Sequence, residues 1–356
     1  MDLDALKNLT DPVILFFAVG LFAGAVRSNL EIPPAVAKFL SLYLLMAIGF
    51  KGGQALGATG LTGDGLTVLG LALLLAVVIP LIGYRVLRLR IGAFDAAAIA
   101  ATYGSVSAVT FIAASQYAIS RGDEPGGHMA VALVLMESPA IVMAVVLAGW
   151  ARSQSRAAAR AEVPVAVGAG GASGPVDDAR ASSTAGGEEA AGEAPGLGAV
   201  LRSSFTEGTF LLLVGSLVVG VASGPAGGET MSPLVVDLFK GLLAFFLLDL
   251  GLVVARQMRE VRGISPFLVG FALVMPLVGA SLALGLGSLA GLSVGDLTLL
   301  TVLAASGSYI VVPAVARYAI PEALPSRYLT MALAITFPFN IVVGIPLYHS
   351  LAGVLA

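Results

Sequence analysis

Apolar residues run along this chain in blocks rather than in alternation. Ten blocks lie near 12–28, 34–53, 66–88, 94–120, 127–151, 207–222, 233–255, 264–289, 296–318 and 325–350, each bounded by charges or by Gly and Pro clusters. A helix of ~20 residues crosses a hydrocarbon core ~30 Å thick, and most of the blocks have about that length. They lack the period-2 alternation that a membrane barrel requires, so the pattern predicts transmembrane helices and no strands.

One segment breaks the pattern. Residues 153–198, past a basic start, are mostly Ala, Gly, Ser, Pro and acids without an aromatic. Such a composition buries too little surface to offset chain entropy, and it predicts a disordered cytoplasmic linker. The linker separates a first unit, 1–152, from a second, 199–356, with five blocks in each. An odd number of crossings per unit makes the two insert in opposite senses. The expected fold is therefore an all-α integral membrane protein of ten transmembrane helices, arranged as two inverted five-helix repeats.

Charge placement supports that count. In alternate connections one side collects 15 Lys and Arg, from Arg27 and Lys38 through Arg152 and Arg202 to Arg317 and Arg327. The other side holds Lys7, Lys51 and Arg121, and Lys240 falls inside a block. By the positive-inside rule this places the linker in the cytoplasm and both termini outside a plasma (inner) membrane. The opening MDLDALKNLTDPV carries acids where a signal peptide would be basic, so the first block is expected to be retained.

Composition narrows the function. Hydrophobic residues make up 58% and charged residues 12% of the chain, about half the charged share of soluble domains. That excludes a soluble enzyme, a nucleic-acid binder and a disordered protein. There is no Cys, hence no disulfide or thiol chemistry, and the two His leave no histidine metal site. No HExxH, P-loop or nucleophile elbow occurs, so intramembrane hydrolysis and ATP-driven pumping have no support, and no cofactor is expected.

Internal matches point to the chemistry. Ala101–Thr110 (ATYGSVSAVT) aligns with Ala304–Pro313 (AASGSYIVVP) 203 residues on, Glu137-Ser138-Pro139 with Thr336-Phe337-Pro338 199 residues on, and Gly53 with Gly251 198 residues on. Gly104-Ser105-Val106-Ser107 and Ser306-Gly307-Ser308 lie in the middle of blocks four and nine, where a continuous helix favours Leu or Ala. Small residues there serve either close helix packing or a helix interruption. Their equivalent places in the two units favour interruption. A broken helix offers N–H groups to an anion and carbonyls, with Ser and Thr hydroxyls, to a small hard cation. Glu137, some ten residues inside block five, is costly in lipid and reads as a cation ligand or as a protonated packing acid. Asn340 offers a polar group near the matching place in block ten. Tyr103 and Tyr309 flank the breaks and either bond a ligand or only pack. Lys51 and Asp249 read as separate vestibule, gate or snorkelling charges, and His128 and His349 as solvated residues at block ends.

The stretches TYGSVSAVTFIAA (102–114), GFKGG (49–53), ESPAIV (137–142), AASGSYIVVPAVARYAIPEALPSRYLT (304–330) and TFPFNIVVGIPLY (336–348) resemble the sodium-dependent bicarbonate transporter family, over essentially the whole chain apart from the linker. The resemblance implies a core bundle of helices three to five and eight to ten against a gate bundle, a homotrimer, and sodium as coupling ion. It also suggests a PII-like cytoplasmic regulator. Carried over by motif, substrate binding falls to Gly104, Ser105, Ser107, Thr110, Ser306, Gly307, Ser308 and Tyr309, and sodium to Tyr103, Ser107, Thr110, Glu137 and Ser308. By the resemblance, cyanobacterial members of the family carry Asp where this chain has Tyr309 and Glu137. The expected activity is elevator- or rocking-type symport of sodium with bicarbonate or a similar small anion. A sodium or proton symporter of an organic acid, or a non-transporting sensor on the same fold, stands as the alternative.

Overall fold

The computed structural model describes residues 12–161 and 208–356, and these are helical, with no strand among the described residues. The helices are α1 (Pro12–Ala25), α2 (Pro34–Thr59), α3 (Gly63–Leu87), α4 (Ala93–Gly104), α5 (Ala108–Ser120) and α6 (His128–Ala161). After the undescribed stretch come α7 (Gly208–Ser232), α8 (Phe239–Gln257), α9 (Pro266–Leu289), α10 (Val294–Ala304), α11 (Val311–Ala319) and α12 (Pro325–Leu355). Helix α12 contains two π-helical segments, Met331–Thr336 and Asn340–Gly344.

Local chemistry sets several of these boundaries. Thr62, Ser265 and Ser293 precede α3, α9 and α10, and each side-chain oxygen accepts from the backbone N–H three residues on, at Gly65, Leu268 and Asp296. Pro34, Pro266 and Pro325 stand at the first positions of their helices, where the missing N–H costs nothing.

Seven helical stretches are long and apolar enough to cross a bilayer, against the ten expected. The difference has a geometric source. Leu211–Gly263 runs as one stretch through α7 and α8 and takes in two of the expected blocks. Ile14–Ala25 and Val294–Ala304 are apolar but shorter; at ~1.5 Å per residue an 11-residue helix covers only about half of a ~30 Å core. Helix α6 runs on to Ala161, over the first residues of the expected linker, and 162–207 lies outside the described residues.

Two helix pairs cross with almost no side chain between them. Helix α2 lies on α7 where Gly53 meets Gly220, and a Cβ on Gly53 would stand 3.0 Å from the Gly220 Cα. Helix α1 lies on α8 where Gly20 meets Gly251, with the same measure at 3.2 Å. The remaining helices form a second group, α3 packing on α4 and α6, and α9 on α10, with α10 also against α5 and α12. Replacing Gly53 by Ala should raise intrinsic helix stability by up to ~1 kcal/mol. Its methyl would overlap the Leu217 carbonyl oxygen, so we expect the melting temperature in detergent to fall; a rise would show that the crossing is loose.

Charged groups fasten the second group at both ends, each time between the two halves of the chain. At one end Arg152 pairs with Glu322 at 3.0 Å and donates to the Ala319 carbonyl at 2.7 Å, while Arg327 pairs with Asp95. The Glu322 carboxyl is held below its ordinary range by the Arg152 hydrogen bond. The folded-state value is the lower one, so this clamp is present through the neutral range and is lost as pH falls through that value. At the other end His349 Nε2 lies 2.9 Å from Asp123 Oδ2, and His128 Nε2 lies 3.2 Å from Asp296 Oδ2 without hydrogen-bond alignment. Asp296 Oδ1 accepts from the Gly126 N–H at 2.7 Å. Both His are thus partnered and mostly buried rather than solvated.

Candidate functional site

The two interruptions meet inside the molecule. Helix α4 stops at Gly104 and α5 starts at Ala108; α10 stops at Ala304 and α11 starts at Val311. Gly104 packs on Pro80 of α3 so tightly that a Cβ would fall 2.6 Å from the ring. Two hydrogen bonds join the breaks: Ser308 N–H donates to the Thr102 carbonyl at 2.9 Å, and Ser107 N–H donates to Ser306 Oγ at 3.1 Å. A third brace comes from α12, where Asn340 Nδ2 donates to the Ala305 carbonyl at 2.8 Å and Asn340 Oδ1 accepts from Tyr348 at 3.1 Å. Thr102 and Ala305 are equivalent at the 203-residue offset, so the same carbonyl, released by the same break, is satisfied in each unit.

Each expected site residue now has a place. Ser107, Glu137, Ser308 and Tyr309 line one cavity of about 70 Å³, together with Val106, Ala108, Val109 and Ile112. Ser41, Leu44 and Leu45 of α2, Leu213 of α7 and Phe246 of α8 close it from the other helix group. It therefore lies on the boundary between the two groups, with room for a few water-sized atoms. Glu137 is half-buried there. Tyr309 stacks edge-on against Phe337 at 5.6 Å, and its hydroxyl faces Ser107 without hydrogen-bond alignment.

The other expected residues stand behind the cavity wall. Thr110 donates its N–H and its hydroxyl to Ser107 Oγ, at 3.2 and 2.8 Å, so Ser107 caps α5. Ser306 Oγ donates to the Leu303 carbonyl at 3.0 Å while accepting from Ser107, so it braces the two breaks. Tyr103 bonds Thr336 Oγ1 at 2.6 Å, and Thr336 in turn donates to the Ala272 carbonyl at 2.7 Å. Gly307 lies near the Thr102 carbonyl and the Tyr103 ring. Ser105 Oγ is buried with no hydrogen-bond partner among the described residues.

The hydroxyls of the two serines that line the cavity have a defined sense. Ser107 Oγ accepts from the Thr110 N–H, and Ser308 Oγ accepts from the Val312 N–H at 3.3 Å. A hydroxyl that accepts from an N–H keeps its own proton to donate, which suits an anion. Glu137 contributes a carboxyl on the same cavity. Among the described residues no cluster of three or more His, Cys, Asp or Glu could hold a metal ion, so a cation in this cavity would depend on one carboxylate and neutral oxygens.

With no strand among the described residues and seven helical stretches there long and apolar enough to cross a bilayer, the chain is a multi-pass membrane protein. It belongs to the Na⁺-dependent bicarbonate transporter superfamily, which it matches over residues 12–353, and this places it among transporters rather than enzymes. No curated protein matches the chain.

Proposed function

We propose that the protein is a secondary transporter that carries bicarbonate, or a small anion like it, into the cytoplasm with sodium. The observation that carries this reading is the cavity at the two helix breaks, which Ser107, Ser308 and Glu137 line together between the two helix groups. Ser107 and Ser308 donate to the anion, aided by the N-terminal ends of α5 and α11. Glu137 and carbonyls of the breaks hold the sodium.

The same reading takes the chain as ten passes in two inverted repeats, with the linker in the cytoplasm. Support comes from the helix crossings. Gly20 and Gly220 are equivalent at an offset of 200 and Gly53 and Gly251 at 198, and each glycine of one unit packs on a glycine of the other, as a two-fold exchange of the units requires. Motion of the α3–α6 and α9–α12 group against the α1, α2, α7 and α8 group would then expose the cavity alternately to each side. Proteoliposomes with an inward sodium gradient should accumulate labelled bicarbonate, and should not without one. Absence of uptake of any small anion under any cation gradient would sink the transport reading.

A further inference from the structure

A second cavity, of about 80 Å³, lies further along the same seam. On α2 the central cavity is lined by Ser41, Leu44 and Leu45, and the second by Ile48, Lys51, Gly52 and Ala55. On α5 the central cavity takes Ala108, Val109 and Ile112, and the second takes Phe111, Ser115, Gln116 and Ile119. From Leu44 to Lys51 is seven residues, an axial step of ~10 Å. The two cavities thus follow one another between the same pair of helices, separated by the buried apolar side chains of Ile48, Phe111 and Ile112. The second opens toward the 121–127 connection, whose Glu124, Pro125, Gly126 and Gly127 also line it. In the proposed orientation that is the outer side.

Lys51 is the cation of this cavity. It is half-buried, and among the described residues no carboxylate forms an ion pair with it. Its Nζ stands 5.8 Å from the centre of the Phe239 ring, and the charges of Glu124 and Lys240 act on it from nearby. An ammonium drawn partly out of water, with Glu124 acting on it only across the cavity and not in a direct ion pair, is a place where an arriving anion supplies the contact that the protein withholds. Ser115 and Gln116 add neutral polar groups, and Glu124 keeps the local field from holding an anion too firmly to release it.

We propose that this cavity is an external antechamber, in which Lys51 holds the transported monoanion before it passes along the α2–α5 seam to Ser107 and Ser308. The proposal rests on the transport reading above for the direction of passage and the identity of the anion. A lysine that only snorkels would leave the bicarbonate KM unchanged when its charge is removed.

The chain contains no Cys, so a single introduced thiol reports on this cavity alone. Ser115→Cys, nearly isosteric, should react in intact cells with externally added methanethiosulfonates. The sulfonate-bearing, anionic reagent should outpace the trimethylammonium-bearing one by about tenfold after correction for their rates with a free thiol, as a single nearby charge would produce. Adding Lys51→Met should abolish that preference, and Lys51→Arg should keep it. Gln116→Cys gives the same readout if Ser115→Cys does not fold. In uptake assays Lys51→Met should raise the bicarbonate KM severalfold while kcat changes little. A thiol unreactive from outside, a charge preference that survives Lys51→Met, or an unchanged KM would overturn the proposal. Labelling needs no transport, so failure of wild-type uptake would count against the proposed function and leave the charge preference to decide on the antechamber.

Discussion

Glu137→Gln is expected to remove most of the sodium dependence of uptake while leaving the protein as stable as before or more so. The substitution conserves shape and hydrogen-bonding reach and deletes one negative charge from the cavity that Ser107 and Ser308 share. At an effective dielectric of ~20, a carboxylate ~4 Å from a monovalent cation contributes about 4 kcal/mol, and even half of that is a factor of ~30 in half-saturating sodium. The stability effect has the opposite sign. A charged Asp at the middle of a membrane helix costs about 2.5–3.5 kcal/mol on an insertion scale, so neutralising the comparable Glu137 relieves strain if its charge serves the ion and not the fold. The two readouts together are diagnostic: sodium dependence measured in proteoliposomes and the melting temperature measured in the same detergent. Unchanged sodium dependence with a lowered melting temperature would make Glu137 a packing acid and leave the cation to the backbone of the breaks.

The breaks themselves were legible because Gly and Ser in mid-membrane contradict helix propensity, and because the contradiction recurs 203 residues later. What the sequence could not separate was which hydroxyl faces the cavity and which braces the wall. Ser306 and Ser308 are two residues apart and chemically identical, and only the fold turns one toward Ser107 N–H and the other toward the cavity. Ser41, Leu213 and Phe246 carry no sequence signal of the site for a related reason. They reach the site from α2, α7 and α8, and no local spacing encodes a contact between helix groups. The His pairs show the same limit, since His128 and Asp296 lie 168 residues apart and each alone resembles a solvated helix end. Hydropathy also ends where lipid ends rather than where a helix ends. Block six stops near 222 although α7 continues through a kink at Gly224, whose φ of 58° a glycine adopts readily, to Ser232.

That division between bracing and facing hydroxyls predicts opposite phenotypes for two serine deletions. Ser306→Ala removes the acceptor of the Ser107 N–H and the donor to the Leu303 carbonyl, both in the buried junction of the breaks. A buried donor left unpaired costs about 1–3 kcal/mol, so the melting temperature should fall, and the half-saturating concentrations of sodium and bicarbonate should worsen together because the junction that positions both has moved. Ser308→Ala removes only the long, 3.3 Å acceptor contact to the Val312 N–H and a hydroxyl facing the cavity. Its melting temperature should change less. Its bicarbonate KM should rise about tenfold or more, the consequence of losing one hydrogen bond to a charged ligand worth ~1.5–3 kcal/mol, with sodium dependence shifted much less. Thermal melts and paired titrations of bicarbonate and sodium on both variants read this directly. If Ser308→Ala behaves like Ser306→Ala, losing stability and both affinities alike, then Ser308 braces the wall as Ser306 does and the anion is held by Ser107 and the helix ends alone.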